Sequence, residues 1–171
     1  KNQYLLTKRL LQEQAMTVLT NKENTIPLQQ LDTLKIASLV IGSGQVQPFQ
    51  KMMENYTRID HFNVSKTATD EEIQNLLNQL KSYNLLIVGI QDMSLYPSRR
   101  FGISDQQIKL TDRLKDQNAV VCFFGNPYAL TNFPALLEAK SLIVAYQNDQ
   151  EAQELAAQLI FGATSAKGKL P

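Results

Sequence analysis

Apolar residues along the chain follow two rhythms, short uninterrupted runs and stripes at helical spacing. Leu85–Ile90 (LLIVGI), Ala119–Phe124 (AVVCFF) and Ser141–Tyr146 (SLIVAY) are near-continuous runs, which predict strands buried on both faces as in a parallel sheet. The first of them is expected near the middle of that sheet. Leu34–Ile41 (LKIASLVI) is a further strand, ended by Gly42-Ser43-Gly44. Thr57–Val64 (TRIDHFNV) alternates instead, as a half-buried edge strand does.

The helical stripes lie between these runs. Thr69 and Glu72 have capping-box spacing and open a helix to about Ser82, with Ile73, Leu76, Leu77 and Leu80 on one face. Ser104 and Gln107 repeat that spacing before a helix to about Asp116, with Ile108, Thr111 and Leu114 on one side. Pro48 starts a short helix reaching about Asn55. Asn148 and Glu151 begin a last one, with Ala152, Leu155, Ala156, Leu159 and Ile160 facing inward and Gly162 as its stop.

Three stretches read less sharply. Residues 2–19 carry Leu6, Leu10, Leu11, Ala15, Val18 and Leu19 at helical spacing, although Thr17–Thr20 reads equally well as an extended piece. Ile26-Pro27-Leu28 is extended, and a short helix falls around Tyr128–Thr131 or Ala135–Ala139. The alternation of strand and helix predicts a doubly wound α/β domain. Its sheet is mostly parallel, of about five to six strands with helices on both faces, a flavodoxin-like α/β sandwich.

Length and charge narrow this picture only slightly. The 171 residues suffice for one domain with a sizeable core, so 1–171 is read as a single unit. Seventeen basic residues against sixteen acidic ones imply no bulk attraction to nucleic acid. No apolar stretch approaches the ~18–20 residues of a membrane span. The chain opens without Met inside an apparent helix and stops after Lys169-Leu170-Pro171. It therefore reads as a piece of a longer, multidomain protein, and its location is left open.

Candidate chemistry is sparse. Gly42-Ser43-Gly44 follows a strand, but position 47 is Gln where a dinucleotide loop needs glycine, so it reads as a strand-ending turn. His61 is the sole histidine, and any Ser-His-Asp triad or multi-histidine metal site would require it. Cys122 sits within VVCFF and reads as a buried hydrophobe. No metal or cofactor is expected. In open α/β sheets the working loops lie beyond the carboxyl ends of the strands. The loop after Leu85–Ile90 carries Asp92, Tyr96, Arg99 and Arg100. Asp92 is a candidate proton donor or a turn residue, and the arginines suit a carboxylate, sugar hydroxyls or acids of a neighbouring domain.

Several stretches, in order, resemble the C-terminal domain of glycoside hydrolase family 3. Ala15-Met16-Thr17-Val18-Leu19-Thr20-Asn21 with Ile26-Pro27-Leu28 is similar to that family's "A…(S/T)-x-x-L-L-K-N … L-P-L". Lys35–Gly42 resembles its "K-I-A-V-I-G" strand, and Gly125-Asn126-Pro127-Tyr128 its "G-x-P-Y" turn. Leu159-Ile160-Phe161-Gly162 and Gly168-Lys169-Leu170-Pro171 resemble its closing "A-L-F-G … P-S-G-(R/K)-L-P", with Ala166 as a departure.

The resemblance implies one domain of a larger enzyme whose nucleophilic Asp lies on an N-terminal TIM-type barrel. In the β-glucosidase branch this domain also supplies an acid/base Glu, in a pattern like "V-V-G-E-x-x-Y-x-E". Here Ile90 follows Gly89, and the next Glu is Glu138. Without that carboxylic acid the loop has no obvious donor for the leaving oxygen. The chain is thus most similar to the bacterial β-N-acetylglucosaminidase branch, where a His-Asp pair of the barrel does this work.

The expected function is a non-catalytic domain that packs on the barrel, inactive alone. Asp92, Tyr96, Arg99 and Arg100 would then stand at the substrate rim or the interdomain seam, with a carbohydrate at the domain interface. A following serine-hydrolase-like domain is compatible with this arrangement. Two alternatives stay open: a β-glucosidase-like domain using Asp92 as its acid, and a flavodoxin-like ligand-binding module. The carboxyl-end loops, including Pro97–Gly102, are expected to be exposed.

Overall fold

Six strands form one open sheet in a computed structural model that describes residues 2–4, 6–7 and 16–166. In chain order they are β1 (Thr17–Asn21), β2 (Ile36–Gly42), β3 (Ile59–Ser65), β4 (Leu85–Ile90), β5 (Ala119–Phe124) and β6 (Ser141–Ala145). Their spatial order is β1-β6-β5-β4-β2-β3, parallel throughout except that β1 runs antiparallel to β6. Counted from β2, the parallel strands have the order 2-1-3-4-5 of flavodoxin-like sheets. Leu85–Ile90 lies between β5 and β2, central as its continuous run implies, and the alternating β3 is an edge.

Helices α1 (Pro48–Met53), α2 (Asp70–Leu80), α3 (Asp105–Arg113) and α4 (Gln150–Phe161) cover both faces. On one face Phe49 and Met53 of α1 and Leu155, Ala156, Leu159 and Ile160 of α4 bury Val40, Ile87, Cys122 and Ile143. On the other, Ile73, Leu76 and Leu80 of α2 and Leu110 of α3 pack on Leu39, Val88, Val121 and Leu142. Each fully buried aliphatic side chain contributes roughly 1.5–3 kcal/mol. The two faces together therefore hold the sheet without a disulfide, and the one cysteine is buried and free. Burial pushes the Cys122 thiol far above its ordinary range, as expected of an inert core residue.

The caps confirm how local sequence starts these helices. Thr69 accepts the Glu72 amide at 3.1 Å, and Ser104 and Gln107 form a reciprocal capping box with bonds of 3.1 Å. The final helix starts one residue later than its sequence signal. Its cap is Asp149, which accepts from Ala152 N at 2.9 Å, and Gly162 ends it at φ 84°.

Other boundaries differ for physical reasons. Half of the expected helix over residues 2–19 lies outside the described residues; 2–4 and 6–7 are helical, and Thr17–Asn21 is a strand, the extended alternative for that stretch. Its β-branched and polar residues pair with β6, whose other side is already satisfied by β5. Between β5 and β6 there is no α-helix, only 3-10 turns at Pro127–Asn132 and Pro134–Glu138, each begun by a proline. On α3 Ile108, Thr111 and Leu114 lie on the inward side as expected, joined by Leu110 and by the capping Gln107, whose side chain turns toward the end of β4.

Candidate functional site

The chain passes from β2 outward to β3 and then crosses back to β4, so strand order reverses between β2 and β4. Ligand-facing loops of open α/β sheets gather at the carboxyl ends beside such a reversal. Here the two strand ends nearly touch. A Cβ on Gly42, which has φ 130°, would stand 2.8 Å from the Gln91 carbonyl carbon, with the oxygen nearer still. Only a glycine lets the loop after β2 lie against the loop after β4.

That second loop is tightly held. Lys66, just beyond β3, donates to the Asp92 carbonyl at 2.7 Å and stands 3.8 Å from its carboxylate. Gln107 Nε2 donates to the Gln91 carbonyl at 3.1 Å. The Gln91 amide, fully buried, has neither Oε1 nor Nε2 hydrogen-bonded. Asp92 takes a left-handed conformation at φ 62°, and Arg99, Arg100 and Phe101 do so in succession at φ 53°, 54° and 56°. Such non-glycine residues cost about 1–3 kcal/mol each and persist only where the surroundings over-determine them. Here Ser94 N donates to the Phe101 carbonyl at 2.7 Å, Phe101 is buried, and Arg100 clamps the Ile103 carbonyl and the Asp105 carboxylate at 3.0 and 2.8 Å.

The four residues singled out from sequence do share this loop, but they differ in surroundings. Asp92 faces Lys66 and Arg100 is tied within the domain. Tyr96 is 73% exposed. Arg99 is exposed and has no hydrogen-bond or ion-pair partner among the described residues. Pro97–Arg100 are exposed as expected, whereas Phe101 turns into the core.

Residues the sequence reading passed over complete the face. Exposed Val46 follows β2, Leu95 precedes Tyr96, and Tyr128 follows β5 at 70% exposure. Asn126 joins two of these loops, its Nδ2 donating to the Leu95 carbonyl at 2.9 Å while its Oδ1 accepts from Tyr128 N at 3.0 Å. Their positions directly after predicted strand ends were the available signal. The resulting rim is apolar and amphipathic, the composition favoured at contacts that are partly dry.

His61, the sole histidine, is largely buried on β3. It is paired across strands with Ser38, its Nδ1 lying 2.6 Å from the Ser38 hydroxyl and its Nε2 2.8 Å from the Glu54 carboxylate. Gln50 Nε2 donates to the Ser38 oxygen at 3.1 Å, so the hydroxyl is free to donate to Nδ1, and Nε2–H donates to Glu54. The line of serine, histidine and acid invites comparison with a hydrolytic triad. Its two ring contacts are the reverse of that arrangement, and Ser38 is wholly buried in mid-strand. It is a clasp joining α1 and β3 to β2. His61→Ala is expected to cost about 1–2 kcal/mol by leaving the buried Ser38 hydroxyl without an acceptor for its proton, read as a lower urea midpoint with an unchanged slope.

Among the described residues no group of three His, Cys, Asp or Glu side chains is placed to hold a metal. No helix of the described residues is long and apolar enough to cross a membrane.

What these features define is an open, doubly wound α/β domain with four exposed apolar or aromatic side chains, Val46, Leu95, Tyr96 and Tyr128, on the loops at the carboxyl end of its sheet. Residues 16–171 match the family model described as the glycosyl hydrolase family 3 C-terminal domain, and the chain belongs to that family. Among curated protein sequences there is no match. The fold is shared with a glycoside hydrolase family 3 β-N-acetylglucosaminidase from Paenibacillus sp. str. FPU-7, at TM-score 0.72 and 17% identity over 95% of this chain and 31% of that one. A fungal multi-domain β-N-acetylglucosaminidase of the same family gives TM-score 0.71 and 22% identity over 99% of this chain and 19% of its own. A β-glucosidase from Listeria innocua gives TM-score 0.72 and 12% identity over 96% of this chain and 26% of its own. The chain thus spans between a fifth and a third of these enzymes, which carry further domains.

Proposed function

We propose that this is the non-catalytic C-terminal domain of a retaining β-N-acetylglucosaminidase-type glycosidase. It packs on an N-terminal barrel of the same polypeptide through the loops at the carboxyl ends of its strands, and lines the substrate opening there. The observation that carries the reading is the gathering of Val46, Leu95, Tyr96 and Tyr128 on that one face. Apolar side chains placed together on adjoining loops gain from being covered. A further support is the loop after β4. Its one carboxylate, Asp92, is exposed and stands beside an ammonium group, whereas leaving-group protonation requires a positioned carboxylic acid.

The test compares the purified 1–171 domain with the full-length enzyme on an aryl β-N-acetylglucosaminide. The domain alone is expected to show no turnover and the full-length enzyme to hydrolyse with retention; clear turnover by the domain would sink the reading. A second reading, in which Asp92 is the acid of a β-glucosidase-like site, is favoured by its place directly after β4. In the full-length enzyme Asp92→Asn should then lose activity steeply on glycosides with poor leaving groups. Equal dependence on leaving group in the two proteins rules Asp92 out.

A further inference from the structure

We infer that Arg99 forms an ion pair with an acidic side chain of the domain that covers the carboxyl-end loops, and so sets the orientation in which the two domains dock. The inference rests on the docking proposed above and names the chemistry of the partner surface. Three cations stand on the loops after β3 and β4. Lys66 is spent on the Asp92 carbonyl and carboxylate, and Arg100 on Asp105 and the Ile103 carbonyl. Arg99, next to Arg100 in the same turn, is exposed and has no partner among the described residues.

The backbone presents this side chain in a fixed way. Arg99, Arg100 and Phe101 are consecutive left-handed residues, and the turn they make is fastened on both sides. Ser94 N donates to the Phe101 carbonyl, Ile103 N donates to the Arg100 carbonyl at 3.0 Å, and the Phe101 ring is buried. Backbone strain maintained by several independent contacts points to a use for the conformation it holds. What the turn leaves outside is the Arg99 guanidinium, with its direction of departure already chosen, which lowers the ordering cost of any contact it makes.

Leu95 and Tyr96 belong to the same loop, so covering them draws Arg99 into the contact. A guanidinium that loses its water without gaining an anion is strongly unfavourable. A carboxylate standing opposite removes that penalty, and the planar fork of Arg donates two parallel hydrogen bonds to it, a geometry that a simple point charge lacks. An acid of the neighbouring domain is the occupant that covering the apolar rim itself supplies.

Amide hydrogen exchange across residues 92–102 in the full-length protein tests this, with Arg99→Gly and Arg99→Glu as variants. Glycine keeps the left-handed turn and removes only the cation, while glutamate adds repulsion. In the parent protein these amides are expected to be protected, and exchange should rise roughly tenfold or more in Arg99→Gly, and further in Arg99→Glu. An acid-to-arginine change on the facing domain should restore protection to Arg99→Glu. Protection in the parent that neither variant alters by more than about twofold would overturn the inference and leave the docking intact. So would a rise in KM confined to anionic glycosides, which would give Arg99 to the substrate. Rapid exchange of the loop in the unaltered full-length protein would overturn both this inference and the docking beneath it.

Discussion

Gly42→Ala should lower the stability of the domain by on the order of 4 kcal/mol, the sum of a left-handed backbone forced on alanine and a collision with its neighbour. Gly42 holds φ 130°, and an added Cβ would come within 2.8 Å of the Gln91 carbonyl carbon, with Asp92 Cβ at 3.2 Å. Those atoms are backbone at the end of the central strand, and they cannot turn aside as a flexible side chain would. For a domain of this size that loss lowers the melting temperature by about 10 °C. Gly44 supplies the control. A Cβ there meets nothing within 4 Å, so Gly44→Ala should stay within about 0.5 kcal/mol of the parent. Equal melting temperatures for the two variants would show that the strand ends are not in the contact described. The effect bears on function as well, because the same contact sets where the loop carrying Asp92 and Arg99 begins.

Phe49→Ala is the second large expected loss, about 3–5 kcal/mol for emptying a fully buried ring site. Phe49 is the second residue of α1 and packs edge-on against Phe124, with ring centroids 5.3 Å apart and planes at 74°. Gly89 of the central strand makes room for both rings; a Cβ there would lie 3.4 Å from each. The Phe49 amide also donates to the buried Gln153 side chain at 3.2 Å, which ties α1 to α4. Removing the ring thus empties the place where two helices and the middle of the sheet converge. A denaturant titration with a lowered midpoint and the parent slope is the expected result. A loss below about 1 kcal/mol would mean that the surrounding side chains collapse into the space.

Much of the architecture was legible because a strand buried on both faces leaves a continuous apolar run. Ala119–Phe124 matches its predicted limits to the residue, and Leu85–Ile90 proves central. The capping pairs at Thr69 and Ser104 were readable because side chain and amide lie three residues apart, a purely local relation. The clasp of Ser38, His61 and Glu54 was not, since it depends on the register of two strands distant in sequence. Nor was the turn at Arg99–Phe101. Nothing in Ser98-Arg99-Arg100-Phe101 favours left-handed backbone, and it exists because Phe101 and Arg100 are fastened from outside the turn. Of the candidate site, the sequence singled out the loop after the central strand from its place in the strand–helix order alone. It could not separate Arg100, satisfied within the domain, from Arg99, which has no partner among the described residues.

The antiparallel edge has a consequence for the order of assembly. Of the strands of this sheet β1 is translated first, yet its partner β6 is translated last, and Ser141 Oγ reaches Asn21 Oδ1 at 2.8 Å across 120 residues of chain. Contacts of such long sequence separation close late. During synthesis Thr17–Asn21 must wait, unpaired with β6, until Ser141–Ala145 has emerged and joined β5, so the sheet grows from its interior and is sealed by the earliest made of its own strands.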